Sequence, residues 1–120
     1  MPRRTDLSTL RAAWWALRSA RRARRRLDRD GLEAAVALPT VPAVPDEASR
    51  GVNAVLRRMD DTCLVRSMVL QAWDAAHGHE RDLIVGVTAP NQGFEAHAWL
   101  EGDPPRAQEG FQELLRRPAR

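Results

Sequence analysis

Cys63 and the three histidines are the side chains of this chain that could carry out nucleophilic catalysis. The 120-residue sequence holds one cysteine, which excludes an internal disulfide, a cysteine-rich zinc site and a CxxC redox pair. A cysteine thiolate attacks carbonyl groups, and a histidine beside it can take the thiol proton and return it to the leaving group. A carboxylate that orients the imidazole would complete a Cys-His-acid triad.

A helix is predicted to begin close to Cys63. Residues 60–79 start with two aspartates, Asp60 and Asp61, either of which suits an N-cap, and Gly78 lies where a helix-ending glycine belongs. Apolar residues surround much of the predicted helix, as is typical of a buried one. Cys63 would lie in the first turn, where unpaired N–H groups and the helix dipole favour a reactive thiolate and can hold an oxyanion.

Of the three histidines, His97 is the one that the predicted elements can bring to Cys63. His77 and His79 lie at the far end of the same helix, about 20 Å away. His97 lies in a predicted strand that can run beside the start of the helix. By geometry alone, the orienting carboxylate could be Glu95, Glu101, Asp103 or Glu109. A buried, inert cysteine with a structural histidine is the alternative that the same residues allow.

Two strands are predicted after the Cys63 helix. Residues 81–88 are rich in β-branched side chains, and residues 94–101 alternate apolar and polar side chains. A turn joins the two strands, so a helix is followed by an antiparallel hairpin, which indicates an α+β fold. The last fifteen residues predict a short helix or an irregular tail.

The N-terminal part predicts helices joined by a proline-rich connector. Residues 5–29 read as one amphipathic helix, in which apolar residues recur at i, i+3, i+7 and i+10 and predict a buried stripe. These residues are Leu7, Leu10, Trp14 and Leu17. Residues 31–38 predict a short helical turn, the prolines that follow predict an extended connector, and residues 47–59 predict another helix.

Positive charge is concentrated at one end of the chain. All 19 basic residues are arginine, and the formal net charge is +3. Residues 1–30 hold ten arginines against three aspartates, whereas the rest of the chain is net acidic. The plain interpretation is a packing helix with a solvated basic half. One functional interpretation is a docking surface for a partner or an acidic peptide, since a basic patch steers acidic partners. The other is a nucleic-acid or membrane surface, although the apolar stripe covers barely three turns.

Length and composition predict a single compact domain, with an N-terminal extension and connector over residues 1–46 and a core over residues 47–120. No apolar run approaches a membrane span, and no secretory signal follows the basic start, so a cytoplasmic location is expected. The cysteine and histidines match no usual zinc-ligand spacing. We therefore expect no metal, no cofactor and no nucleic-acid partner.

Three blocks of the sequence resemble the lasso-peptide biosynthesis B2 protein family. The blocks are CLVRSMVLQAW (63–73), DLIVGV (82–87) and FEAHAWLEGD (94–103), in the order and at the spacing of that family. The resemblance covers roughly residues 50–110. It implies a transglutaminase-like (papain-like) cysteine protease core, in which the nucleophile helix packs on a small antiparallel sheet.

The resemblance also implies roles for individual residues. Cys63 would be the nucleophile and His97 the base of a leader peptidase. The family usually places an aspartate about a dozen residues after the histidine, an offset that falls on Glu109 here. Asp103 is the second candidate for the third member, although it occupies the turn that follows the strand in the family.

Partners follow from the same resemblance. The peptidase would remove the leader from a ribosomally made precursor peptide, so that a separate ATP-dependent cyclase can close the macrolactam on the freed core. A separate leader-recognition protein, called B1 in the family, would deliver the precursor, because residues 1–55 do not resemble that module. Two alternatives remain: a non-catalytic transglutaminase-like scaffold that binds precursor or cyclase, and an acyl-transfer or deamidating enzyme on the same triad.

Overall fold

Two helices precede a third helix and three strands in the computed structural model, which describes residues 7–31, 36–60, 62–88, 95–104 and 110–119. The elements are α1 (Leu7–Asp30), a 3₁₀ turn (Asp46–Ala48), α2 (Ser49–Met59), α3 (Cys63–Ala76), β1 (Leu83–Thr88), β2 (Ala96–Leu100) and β3 (Phe111–Arg117). Contacts divide the chain into two compact units, Met1–Asp61 and Thr62–Arg120. No helix among the described residues is long and apolar enough to cross a membrane.

The first unit is built on the packing of α1 against α2. The buried face of α1 is made mainly of small residues, which let a second helix approach closely. Its members are Thr9, Ala12, Trp15, Ala16, Ser19, Ala20 and Ala23. Gly51 of α2 meets this face, because a Cβ at Gly51 would overlap the backbone oxygen of Thr9 and lie 3.0 Å from Ala13 N. The two backbones therefore touch where glycine stands.

The predicted buried stripe of α1 is wrong. Leu7, Leu10 and Trp14 are 74%, 55% and 60% exposed, and Leu17 is half-buried. The alanines at positions 12, 16, 20 and 23 also recur at helical spacing and form the face that packs. The sequence predicted burial of the leucines because they are large and apolar. The close approach of the two helix backbones instead requires small residues, so the alanines are buried.

The connector after α1 has no regular secondary structure over residues 36–45, in agreement with the extended chain that its prolines predict. The indole Nε1 of Trp15 donates a hydrogen bond to Pro39 O at 2.8 Å, which holds the connector to α1. The predicted helical turn is absent from residues 36–38, and residues 32–35 lie outside the described residues. The sequence placed residues 47–59, and therefore α2, in the predicted core domain. In the structure α2 packs against α1. The predicted domain boundary after residue 46 stays a prediction.

The second unit places α3 on a small antiparallel sheet of strand order β2-β1-β3. Leu83 and Val85 of β1 form a core with Ala98 and Leu100 of β2. Residues of α3, together with one of β3, pack against this core, namely Cys63, Leu64, Met68, Leu70 and Leu115. The predicted α+β fold, with a helix packed on a small antiparallel sheet, is confirmed.

The ends of α3 are set by one predicted residue and one unexpected residue. Gly78 ends the helix with a φ of 88°, and His79 N donates to Asp74 O at 2.8 Å, which together form a Schellman cap. The N-cap of α3 is Thr62. Asp60, one of the two predicted N-caps, is wrong, because this residue ends α2 with a left-handed φ of 50°. The other predicted N-cap, Asp61, lies outside the described residues.

The prediction of a short helix or tail at the C-terminus is wrong, because Phe111–Arg117 forms the edge strand β3. A register shift opposite Val85 and Gly86 inserts one extra residue into β3 and breaks its period of two. Most of the strand is exposed, so it also lacks the apolar alternation of a half-buried strand. Because of these two features, the periodicity of the sequence did not predict this strand.

Gly51→Ala tests the close approach of α1 and α2. At an ordinary helix position the change would raise stability by about 1 kcal/mol, since alanine is the better helix former. Here the added methyl group meets the backbone of α1, so we expect a net loss of about 2 kcal/mol, as for an overpacked core. Urea unfolding followed by circular dichroism measures the change. Arg50→Ala, at the exposed neighbouring position, should stay near wild type, and an unchanged or more stable Gly51→Ala protein would contradict the packing.

Candidate active site

Cys63 is the first residue of α3, and its side chain is partly buried. Thr62 caps the helix: its Oγ1 accepts a hydrogen bond from Val65 N at 3.3 Å, and its carbonyl accepts one from Arg66 N at 3.1 Å. The N–H groups of Cys63 and Leu64 precede these first bonds of the helix. N–H groups at a helix start have no acceptor within the helix, so they can donate to an oxyanion that forms there.

The sulfur lies against the outer edge of β2. Thr88 N donates to Glu95 O at 3.0 Å and Glu101 N to Asp82 O at 2.9 Å, so odd-numbered residues of β2 pair with β1. Even-numbered residues turn their N–H groups away from β1, because bonding alternates along an antiparallel pair. Ala98 N is one of these outward groups, and it donates to Cys63 Sγ at 3.2 Å. This bond sets the start of α3 beside the middle of the edge strand.

The same bond brings Cys63 close to His97. Ala98 N is joined directly to the carbonyl carbon of His97, so the His97 Cα lies within about 6 Å of the sulfur. The His97 side chain leaves the opposite face of β2 from Ala98, since side chains alternate along a strand. Among the described residues, no hydrogen bond joins the imidazole to the sulfur.

Aromatic side chains hold the His97 ring instead. The ring stacks on Trp99, with centroids 5.8 Å apart and an angle of 28°, and contacts Phe111 at 5.2 Å. Trp99 is 4% exposed, and its Nε1 is buried with no hydrogen-bond partner among the residues described. Trp99 thus packs beside the histidine.

Gly86 makes room for this arrangement. It pairs with His97 across the β1–β2 ladder. A Cβ at Gly86 would lie 2.7 Å from Cη2 of Trp99 and 3.0 Å from Gln112 O. Only glycine therefore lets the indole lie over β1 next to the histidine. Sequence reasoning did not single out Gly86, although a glycine within a β-branched strand signals a close approach.

Asp103 lies in the turn that ends β2. Its Oδ2 accepts from Leu100 N at 3.0 Å, and its Oδ1 accepts from Arg81 Nη1 at 3.1 Å. Arg81 also donates to Asp74 Oδ2 at 2.7 Å. Burial opposes the charge of Arg81, but these hydrogen bonds and the two carboxylates raise its pKa above the ordinary value. Both oxygens of Asp103 are thus engaged past Leu100, about 10 Å along the strand from His97.

Three other carboxylates were candidates for the acid that orients His97. Glu109 lies outside the described residues. Glu101 accepts from Arg116 Nη1 at 3.1 Å in an exposed cluster that also includes Asp82 and Glu113. A hydrogen bond from Arg116 lowers the pKa of Glu113. Glu95 is exposed.

His77 and His79 follow the end of α3, away from Cys63. The His77 ring lies 4.2 Å from the Trp73 ring and hydrogen-bonds to Trp73 O at 2.8 Å, which ties it to the helix end. His79 is exposed. Across the described residues, no group of three or more histidine, cysteine, aspartate or glutamate side chains could hold a metal ion.

Comparison with known proteins identifies a family for this chain. The family model of the transglutaminase-like superfamily matches residues 4–116. No curated protein and no solved structure matches the chain. The family match covers both the helices and the sheet. It agrees with a cysteine at the start of α3 and a histidine on the neighbouring strand β2. The chain belongs to the transglutaminase-like superfamily, which includes cysteine peptidases.

Proposed function

We propose that the chain is a cysteine peptidase that removes the leader from a lasso-peptide precursor in the cytoplasm. The observation that carries the proposal is the hydrogen bond from Ala98 N to Cys63 Sγ at 3.2 Å, which joins the start of α3 to the residue after His97. Family membership supports thiol acyl chemistry. The three sequence blocks that resemble the B2 proteins support the leader as the part that is removed.

The mechanism uses groups that meet at the edge of β2. The N–H of Ala98 donates to the Cys63 sulfur and holds it at the edge of the strand. The Cys63 thiolate attacks the scissile carbonyl, while His97 holds the thiol proton. The N–H groups at the start of α3 stabilise the oxyanion. His97 then protonates the amine of the core peptide, which leaves, and water hydrolyses the acyl-enzyme to release the leader and restore the thiol.

His97 has to swing around the strand edge to take part. Its ring stacks on Trp99 in the structure, whereas its Cα lies within about 6 Å of the sulfur. The proposal therefore requires that rotation about the side-chain bonds of His97 bring the ring from Trp99 to the sulfur. Catalytic hydrogen bonds are often formed only when substrate is bound, so this rearrangement belongs to the substrate complex.

Glu109 is the proposed third member, with Asp103 as the alternative. Both oxygens of Asp103 are engaged by Arg81 and Leu100 N, in the turn at the end of β2 away from His97. This geometry favours Glu109, which precedes β3, the strand whose Phe111 contacts the His97 ring. The proposed partners are the precursor peptide, a separate leader-recognition protein and the ATP-dependent cyclase.

Cleavage of the precursor by the full chain tests the function. Purified protein is mixed with precursor and the leader-recognition protein, and product masses are read by mass spectrometry. We expect masses of leader and core, and expect their formation to be lost in Cys63→Ala and His97→Ala, because nucleophile and base act as one unit. His79→Ala, at the exposed end of α3, is the matched control and should cleave at the wild-type rate.

Iodoacetamide labelling separates a peptidase from a scaffold. Cys63 is the only thiol, so the rate of labelling reports on it alone. An activated thiol is labelled faster than free cysteine near neutral pH. Slow labelling together with no cleavage would support the non-catalytic scaffold, and a product that carries a transferred amine or a deamidated side chain would support acyl transfer. Either result overturns the peptidase.

The two candidate acids are separated by Glu109→Gln and Asp103→Asn. If Glu109 orients the histidine, Glu109→Gln lowers kcat by about a hundredfold or more while the melting temperature stays near wild type. Asp103→Asn should instead weaken the bond to Arg81 and lower the melting temperature, with a smaller effect on kcat. Measurement of both quantities for both variants decides between them, and the opposite pattern would assign the role to Asp103.

Gly86→Ala tests the seating of Trp99 beside His97. The methyl group would push the indole from its place on β1 and shift the His97 ring, so we expect kcat to fall about tenfold with little change in KM. Trp99→Phe lacks the Cη2 atom that the methyl group meets, so the double variant should recover part of the lost kcat. Melting temperatures check that each variant folds. Equal losses of kcat in the single and double variants would contradict a positioning role for Gly86.

A further inference from the structure

α1 presents a continuous stripe of large side chains to solvent. The members recur three or four residues apart and therefore lie on one face of the helix. They are Leu7, Leu10, Trp14, Arg18, Arg21 and Arg25, and all are exposed. We call this set the outer stripe. It is about 27 Å long, with its three apolar members toward the start of α1 and its three arginines toward the end, and the exposed Arg11 lies beside the apolar members.

The packing of α1 on α2 does not use the outer stripe. α1 buries its alanine-rich face, with Ala12, Ala16 and Ala20 fully buried. Single exposed apolar residues are common on protein surfaces. Three large ones on successive turns of one helix form a contiguous patch, which is typical of an interaction site.

We propose that the outer stripe is the docking surface for an amphipathic helix of a partner protein, with apolar residues over Leu7, Leu10 and Trp14 and acidic residues over the arginines. The positive charge of α1 is the reason for proposing a partner with acidic residues. Residues 1–30 hold ten arginines against three aspartates, and the ion pairs of Asp30 engage Arg26 and Arg29 beyond the stripe. This inference concerns binding and does not depend on the proposed peptidase activity.

The helix dipole sets the orientation of the partner. Acidic residues are favoured near the N-terminus of a helix, and the arginines of the outer stripe lie toward the C-terminus of α1. An antiparallel partner helix places its N-terminal half over Arg18, Arg21 and Arg25. The partner segment therefore has an acidic first half and an apolar second half, over about 18 residues.

The arrangement of the outer stripe disfavours a membrane surface as its occupant. A helix that lies in a bilayer interface carries its apolar face along its whole length, with basic residues on the opposite side. In α1 basic residues share one face with the apolar ones, with the exposed Arg11 beside Leu7 and Trp14, and that face carries only three large exposed apolar side chains. A partner with the same segregation fits this surface, whereas a uniform anionic sheet does not.

Binding of designed peptides to the full chain tests the proposal. The probe is a fluorescent peptide of about 18 residues, glutamate-rich in its first half and leucine-rich in its second half. One comparison peptide has lysine for glutamate, and another has the two halves exchanged. By fluorescence anisotropy we expect the probe to bind about tenfold more tightly than either comparison peptide, and expect added salt to weaken its binding.

Paired variants locate the binding site. Leu10→Ser with Trp14→Ser, and separately Arg18→Glu with Arg21→Glu, should each weaken binding at least about fivefold. The matched controls are Leu114→Ser, at an exposed leucine of β3, and Arg57→Glu with Arg58→Glu, at exposed arginines of α2; both should bind as wild type.

Four results would overturn the proposal. They are no binding of the probe, equal binding of the exchanged peptide, unchanged affinity in the outer-stripe variants, and tighter binding to phosphatidylglycerol vesicles than to the probe. None of these measurements uses Cys63, so they leave the cleavage experiment to be judged by itself.

Discussion

The hydrogen bond from Ala98 N to Cys63 Sγ is the contact that organises the candidate site. An edge strand presents N–H groups that lack a strand partner, and such groups need an acceptor when they are shielded from water. In β2 the side chain of Asp103 accepts from Leu100 N, and Cys63 accepts from Ala98 N. Two outward N–H groups of β2 are thus paired by side chains of the same unit, and the start of α3 is held beside the middle of the strand.

Two kinds of group from different elements lie close to this edge. The helix start supplies the sulfur and the N–H groups of Cys63 and Leu64, and the strand supplies His97 on the face opposite to Ala98. A nucleophile and a base on opposite sides of one strand can approach only at the strand edge. β2 is such an edge in the order β2-β1-β3. The sheet order is therefore a condition for the proposed chemistry as well as for the fold.

The sequence predicted the elements of the site better than their mutual arrangement. α3 and the hairpin were predictable because Gly78 and the alternation around His97 are local signals. The N-cap was not, since Thr62 competes with two aspartates that have similar capping strength. β3 was missed because its bulge and exposure remove the period of two. Without β3 the sheet order is unknown, and so is the outward direction of Ala98 N. The role of Gly86 depends on the position of an indole thirteen residues later, which no local pattern encodes.

The inversion of α1 shows why helical periodicity alone is ambiguous. Two stripes of this helix have the same spacing, one of alanines and one that begins with leucine and tryptophan. Hydrophobicity favours burial of the larger residues, but α2 brings Gly51 to the helix surface, and a glycine contact requires small residues on the other side. The large apolar residues are then left outward, in line with arginines. A surface with such segregated chemistry is more useful for association than for solubility, because its apolar half costs solvation free energy until it is covered.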